Sequence, residues 1–145
     1  MSHNLIHHLY HIVFSTKNKA ALLSSEIMEE LPSYLAGIAT AERCHLLKAN
    51  GPADHIHLLV SIPPSIAVSD AIRSLKANSS RWISERFCLD FSWQNGYGSF
   101  TICRSIEDRV KAYIDRQEEH HKQVSFSEEM KDFADRHGLD WSGDF

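Results

Sequence analysis

HIHLLVSI, from His55 to Ile62, is the stretch on which the reading of the fold turns. It is short and mostly large or branched apolar, it follows Asn50, Gly51 and Pro52 at a short distance, and Pro63 and Pro64 stop it. A run of this length, closed by prolines that cannot donate to a ladder, reads as a strand. Strand alternation then turns Ile56, Leu58 and Val60 to one face and His55 and His57 together to the other. Upstream, Arg43 to Ala49 is a second strand candidate across the Asn50-Gly51-Pro52 punctuation, so the two strands are expected to be neighbours. Downstream, Val68, Ile72, Leu75, Ser79, Trp82, Ile83 and Phe87 recur at helical steps, with Arg73, Lys76, Arg81 and Arg86 on the more polar sides.

The same reading extends to both ends. His8 to Ser15 alternates partially and ends at the polar Thr16 to Lys19, which predicts a first strand. Ser25 to about Thr40 carries an apolar stripe of Ile27, Met28, Leu31, Tyr34, Leu35 and Ile38, with Ser25 as a cap; Pro32 within it predicts a bend or a later start. Phe91 to Arg104 is a strand expected to be interrupted by a turn or bulge at Asn95, Gly96 and Gly98. Ser105, with Asp108 three residues on, is expected to cap a third helix over about residues 105–120, and a tail over 121–145 contains a last helix from Ser127 to His137, stopped by Gly138. The order is that of an α+β, ferredoxin-like (RRM-like) antiparallel sheet with two helices on one face, followed by a C-terminal helical tail. The second sheet face is left for single-stranded nucleic acid or a second copy of the chain.

Composition narrows the function. A chain of 145 residues with 43% apolar content supports one core, so residues 1–145 are read as a single domain. The formal net charge of −4 argues against a protein held to nucleic acid by bulk positive charge. The excess is local: residues 1–110 hold 10 basic and 10 acidic side chains, residues 111–145 hold 5 and 9. Cys44, Cys88 and Cys103 form no CxxC pair, which excludes a thiolate zinc site and a disulfide framework and fits a reducing compartment. No apolar run is long enough to span a membrane and the start MSHNLIHHLYHIVF is unlike a signal peptide, so a soluble, cytoplasmic protein is expected.

Ten histidines are many for this length, and seven fall into three clusters: His7, His8 and His11; His55 and His57; His120 and His121. Two imidazoles on one strand face can converge on an ion, although packing or solvent exposure explains such a pair equally well. A third ligand must come from elsewhere; with oxygen completing the set, Mg, Mn or Zn would suit. Asp54 is adjacent, but strand parity points it away. Tyr113 and Gln117, four apart on the expected third helix, share a face. The Gln117 amide oxygen can ligate a cation, and a tyrosine hydroxyl can attack a phosphodiester whose charge a metal offsets; a helical tyrosine is also an ordinary packing residue.

Four stretches together, YHIVFSTKNK at Tyr10 to Lys19, DHIHLLVS at Asp54 to Ser61, WQNGYGSF at Trp93 to Phe100 and VKAYIDRQEEHH at Val110 to His121, resemble the small single-tyrosine transposases of the HUH nuclease superfamily, the insertion-sequence-200-like and REP-associated group. The resemblance spans nearly the whole chain. It implies that His55, His57 and Gln117 bind a divalent cation, Mg or Mn, and that Tyr113 is the catalytic nucleophile. It further implies cleavage and rejoining of single-stranded DNA beside hairpins through a 5′-phosphotyrosine bond, and a homodimer in which Tyr113 acts either within its own chain or in an active site shared with the partner subunit. Lys17, Lys19, Arg73, Lys76 and Arg81 are candidates to position the DNA backbone, with a solvated face as the plain alternative for each. Tyr97 and Phe100 are candidates to stack on a base, core burial being the alternative for Phe100, and Trp82 and Trp93 read as packing residues. His120 and His121 are candidates to approach phosphate or metal, and His7, His8 and His11 to touch DNA or pack near a dimer contact. A catalytically silent or domesticated hairpin-binding protein of the same fold is the alternative; the silent form would require loss of one of His55, His57, Tyr113 and Gln117 or of their geometry, whereas a domesticated form would share the chemistry and differ only in its DNA partner.

Overall fold

The computed structural model describes residues 3–143. The chain runs β1 (Leu9–Ser15), α1 (Ser25–Ala41), β2 (His45–Asn50), β3 (His55–Ser61), α2 (Val68–Phe87), β4 (Gly98–Thr101), α3 (Glu107–Asp115), α4 (Gln117–His120) and α5 (Phe126–Arg136). The strands form one antiparallel sheet in the order β2-β3-β1-β4, the ferredoxin-like arrangement expected from the sequence. On one face Ile12, Phe14, Ile56, Leu58 and Val60 meet Ile27, Leu31 and Leu35 of α1 and Ile72, Leu75 and Ile83 of α2 in the main core. Trp93 closes its edge, with its ring edge-on to Phe14 at 4.7 Å and its indole N–H donating to Ser79 Oγ at 2.9 Å. Trp82 stacks on Tyr34 at 4.5 Å, so both tryptophans are packing residues.

Several local expectations change. The N-cap of α1 is Ser24, whose Oγ accepts from the Ile27 amide at 3.2 Å; Ser25 is already helical. Pro32 lies inside α1 and the helix continues through it. Its cost, about 3 kcal/mol in a helix interior, is outweighed by the buried stripe of Ile27, Leu31, Leu35 and Ala39. The last strand shrinks to four residues, with Trp93 making an isolated bridge to Thr16 before the turn at Asn95 and Gly96. Ser105 does not cap the third helix: it lies in a 3₁₀ turn, Arg104–Ile106, with its hydroxyl against Cys103 Sγ. The helix expected over 105–120 is two pieces, because Arg116 at φ −99°, ψ 18° separates α3 from α4.

The second sheet face is not left open. Registers Val13 to His57 and His11 to Phe100 place Leu9, His11, Val13, His55, His57, Leu59 and Phe100 on it together. The C-terminal helices of the same chain cover it: Ile114 joins Leu9, Leu59 and Ile102, and Phe126 and Met130 join Val13 and Phe100. Glycine permits this approach, since a Cβ at Gly98 would lie 2.9 Å from Met130 Cε. Gly51 likewise has no room for a side chain, as a Cβ there would collide with the carbonyl oxygen of His55. Among the described residues no helix is long and apolar enough to cross a membrane.

Candidate metal and nucleophile site

Strand β3 presents the first two groups. His55 and His57, both fully buried, point their Nε2 atoms at one carboxylate oxygen, Oε1 of Glu129 in α5, at 3.1 and 3.0 Å. His121, just after α4, brings its Nε2 to the same oxygen at 3.0 Å. The ligand-type atoms of His55, His57, His121 and Glu129 all lie within 4.8 Å of one another. Behind this ring, Asp54 Oδ1 accepts from His55 Nδ1 at 2.7 Å and His57 Nδ1 meets His11 Nε2 at 2.8 Å. The parity reading of Asp54 was wrong because the residue lies in a bend before β3, where alternation does not apply. Its carbonyl is held by the Thr16 amide at 2.9 Å, which keeps the bend against the end of β1.

The second oxygen of Glu129 accepts from the hydroxyl of Tyr113, which also lies 3.3 Å from His120 Nε2. The Tyr113 ring stands edge-on to His57 at 5.7 Å, within one chain. Gln117 is fully buried and its Oε1 has no hydrogen-bond partner, while its Nε2 lies 3.4 Å from the Tyr113 carbonyl of the preceding turn. Tyr113 and Gln117 therefore stay neighbours although they sit on different helices. A cleft of about 630 Å³ leads in from the surface past Tyr113, His120 and Glu129, with Arg109 and Arg136 on its walls.

Burial and mutual charge set the protonation pattern. Burial, reinforced by His57, holds His11 well below its ordinary value, and burial lowers His57 to about 4, so both are neutral near neutral pH. Burial also opposes a charge on His55, but its bonds to Asp54 and Glu129 outweigh that and raise it. Burial alone would raise Glu129; hydrogen bonds from His121, His55 and His57 outweigh it and keep the carboxylate ionised. The Tyr113 hydroxyl is pushed well above its ordinary value, first by burial and then by the Glu129 carboxylate, with a bond to Gln117 acting the other way. Without a cation, the phenol proton is held rather than released.

The family model for IS200-like transposases matches residues 4–117, a span that includes the histidine pair, Tyr113 and Gln117. The chain belongs to the IS200-like transposase family. It is 32% identical over 120 residues, 78% of each chain, to the transposase for insertion sequence element IS200 of Salmonella typhimurium. It is 25% identical over 115 residues to the ISDra2 transposase TnpA of Deinococcus radiodurans, covering 74% of this chain and 82% of that one. Two solved structures share the fold. One is a transposase from Deinococcus radiodurans (TM-score 0.65, 23% identity, 81% of this chain and 97% of that one). The other is a REP-associated tyrosine transposase bound to a REP hairpin (TM-score 0.62, 16% identity, 100% and 91%).

In this transposase the candidate residues separate into groups. His55, His57, Tyr113, Gln117, His120 and His121 come together. His11, read as a DNA or dimer contact, is buried behind His57, while His7 and His8 are exposed. Lys17 and Lys19 are exposed on a concavity of about 920 Å³ shared with Gln94, Asn95 and Gly96. Lys76 points inward, donating to the carbonyls of Gln94 at 2.6 Å and Gly96 at 3.0 Å, so it braces that loop. Arg73 pairs with Asp70 at 3.1 Å and Arg81 bonds Asn78 at 2.6 Å, both on exposed turns of α2. Tyr97 is 38% exposed, whereas Phe100 is buried and stacks on Phe133 at 5.2 Å. Sequence reasoning missed Glu129, Asp54 and the inward role of His11. A signal for Glu129 existed: it falls on the Phe126, Met130, Phe133 stripe of α5, where an acid is out of place unless it has partners.

Proposed function

We propose that this transposase cleaves and rejoins single-stranded DNA at hairpin-bearing ends through a 5′-phosphotyrosine intermediate. Residues 1–145 act as one domain, in the cytoplasm where the DNA is, and assemble as a homodimer. The observation that carries the reading is the phenol of Tyr113 beside His57 at 5.7 Å, with the buried, unpartnered Oε1 of Gln117 in the adjoining turn. An oxygen left without a donor in a buried place is what a cation ligand looks like before the cation binds, so the residues fit a divalent metal held by His55, His57 and Gln117. Mg or Mn there would offset the charge of the scissile phosphate.

The chain's own groups supply the rest. The Tyr113 oxygen attacks phosphorus, a Tyr–O–P bond forms and the P–O3′ bond breaks, leaving a 3′-hydroxyl. His120 Nε2, 3.3 Å from the phenol oxygen, is in position to accept its proton, while Glu129 Oε2 orients the hydroxyl. A 3′-hydroxyl of another strand attacks the same phosphorus in reverse, so rejoining needs no nucleotide hydrolysis. Arg109 and Arg136 on the cleft walls, with Lys17, Lys19 and Tyr97 outside it, are the groups offered to phosphates and bases. Because the tyrosine stands beside the histidines of its own chain, the dimer is not needed to bring them together. The silent hairpin-binding alternative is the weaker reading, since it needs the loss of one of His55, His57, Tyr113 and Gln117 or of their geometry, and all four residues are present.

The test is to incubate the protein with labelled single-stranded hairpin DNA and Mn and measure covalent adduct. Wild type should give adduct, and Tyr113→Phe and His57→Ala should not, with hairpin binding retained by His57→Ala. Equal adduct from Tyr113→Phe would remove the tyrosine assignment.

A further inference from the structure

The family match ends at residue 117, yet two of the four groups that converge on the site, His121 and Glu129, lie beyond it. We infer that they are metal ligands, and that His55, His57, His121 and Glu129 form a nitrogen-rich site that favours Mn and Zn over Mg. The inference rests on the metal-dependent reading above; it sets His121 and Glu129 beside the histidine pair in place of Gln117 and adds selectivity.

Three features of the ring carry it. First, one oxygen, Glu129 Oε1, faces three imidazole nitrogens at 3.0 to 3.1 Å. A carboxylate oxygen has two lone pairs, so three N–H donors cannot all bond it well. The same four ligand-type atoms lie within 4.8 Å of one another, so small shifts bring them to ligand distances of about 2.0–2.2 Å from one cation. Second, the outer contacts are those of a metal site. His55 Nδ1 is held by the Asp54 carboxylate at 2.7 Å and His57 Nδ1 by His11 at 2.8 Å, which leaves each Nε2 facing the centre. Third, the ligands are buried: the His55 and His57 side chains have no exposed surface, and those of Glu129 and His121 are 2% and 7% exposed. Burying three imidazoles and a carboxylate this way is costly unless a further charge compensates them.

Ligand chemistry then fixes selectivity. Mg keeps waters and prefers an all-oxygen octahedron, which three imidazoles and one carboxylate do not offer. Imidazole with one carboxylate suits Zn, and Mn to a lesser degree, the order of affinity placing Zn above Mn.

The experiment titrates the full-length, chelator-treated protein with MnCl2 by electron paramagnetic resonance, then adds ZnCl2 or MgCl2 in competition. Circular dichroism confirms that each variant is folded. Wild type should bind one Mn, Zn should displace it at equal concentration, and Mg should not. His121→Ala and Glu129→Ala should each weaken Mn binding about tenfold or more. Glu129→Gln, which preserves volume and packing, gives the same readout should the alanine variant unfold. If His121→Ala and both Glu129 variants bind Mn as wild type does while His57→Ala does not, the four-ligand site is wrong and the His55–His57–Gln117 reading stands. Should His57→Ala also bind Mn normally, or wild type bind neither ion, both readings fall. Displacement of Mn by equimolar Mg would overturn the selectivity.

Discussion

The contact between Tyr113 and Glu129 can be isolated by a pair of substitutions in metal-free protein. Tyr113→Phe deletes one hydroxyl and leaves the ring against His57 and Phe133. A hydrogen bond to a charged group contributes about 1.5–3 kcal/mol, and because Tyr113 is only half-buried the lower part of that range applies, about 1.5–2 kcal/mol. For a chain of this size that is a fall in melting temperature of roughly 3–8 °C. Glu129→Met keeps the side chain's length and packing but removes the acceptor, so in that background Tyr113→Phe should cost less than about 0.5 kcal/mol. Glu129→Met alone should cost more than Tyr113→Phe, since His55, His57 and His121 lose the same acceptor. The assay is urea unfolding followed by tryptophan fluorescence, with chelator present and m-values compared across the four proteins. An equal cost of Tyr113→Phe in both backgrounds would show that the hydroxyl acts through packing and would refute the carboxylate contact. No cost in either would show that the phenol is not engaged at all.

Two further predictions separate structural side chains from those that meet DNA. Phe14→Ala, in the fully buried core beside Trp93, should destabilise the protein by about 3–5 kcal/mol in the same urea assay; a loss below about 1 kcal/mol would mean that the main core is not closed around β1. Lys17→Ala should lower hairpin affinity and reduce the slope of log affinity against log salt by about 1, as expected for one phosphate contact. Lys76→Ala should leave that slope unchanged and lower stability, because its ammonium braces the Gln94 and Gly96 carbonyls. A change of slope for Lys76→Ala with stability intact would reverse the two assignments.

Much of the fold was legible because it is written in local periodicity. The apolar stripe of α2 predicted Val68 to Phe87 at both ends, and alternation in HIHLLVSI placed His55 and His57 on one face and Ile56, Leu58 and Val60 on the other. Errors came where a local rule was applied one residue too far. Asp54 was judged by strand parity although it precedes the strand, and Tyr113 and Gln117 were placed on one helix although the backbone breaks at Arg116. Pro32 predicts a bend or a later start, but burial of the α1 stripe outweighs its propensity and the helix begins at Ser25 and runs through it.

The sequence by itself determined the order of elements, the histidine pair and its inward face, because spacing of two or of three to four residues is a property of each segment alone. It also carried the tyrosine and glutamine, through resemblance. Only the tertiary structure decided what surrounds them. His11 reaches His57 across 46 residues, and Glu129 reaches His57 across 72. Such contacts arise when a helix packs on a sheet, and packing depends on the shapes of both partners at once. The second sheet face, open in the sequence reading, is closed by α5 for that reason: Phe126 and Met130 bury against Val13 and Phe100, and Glu129 is carried between them into the ring of histidines.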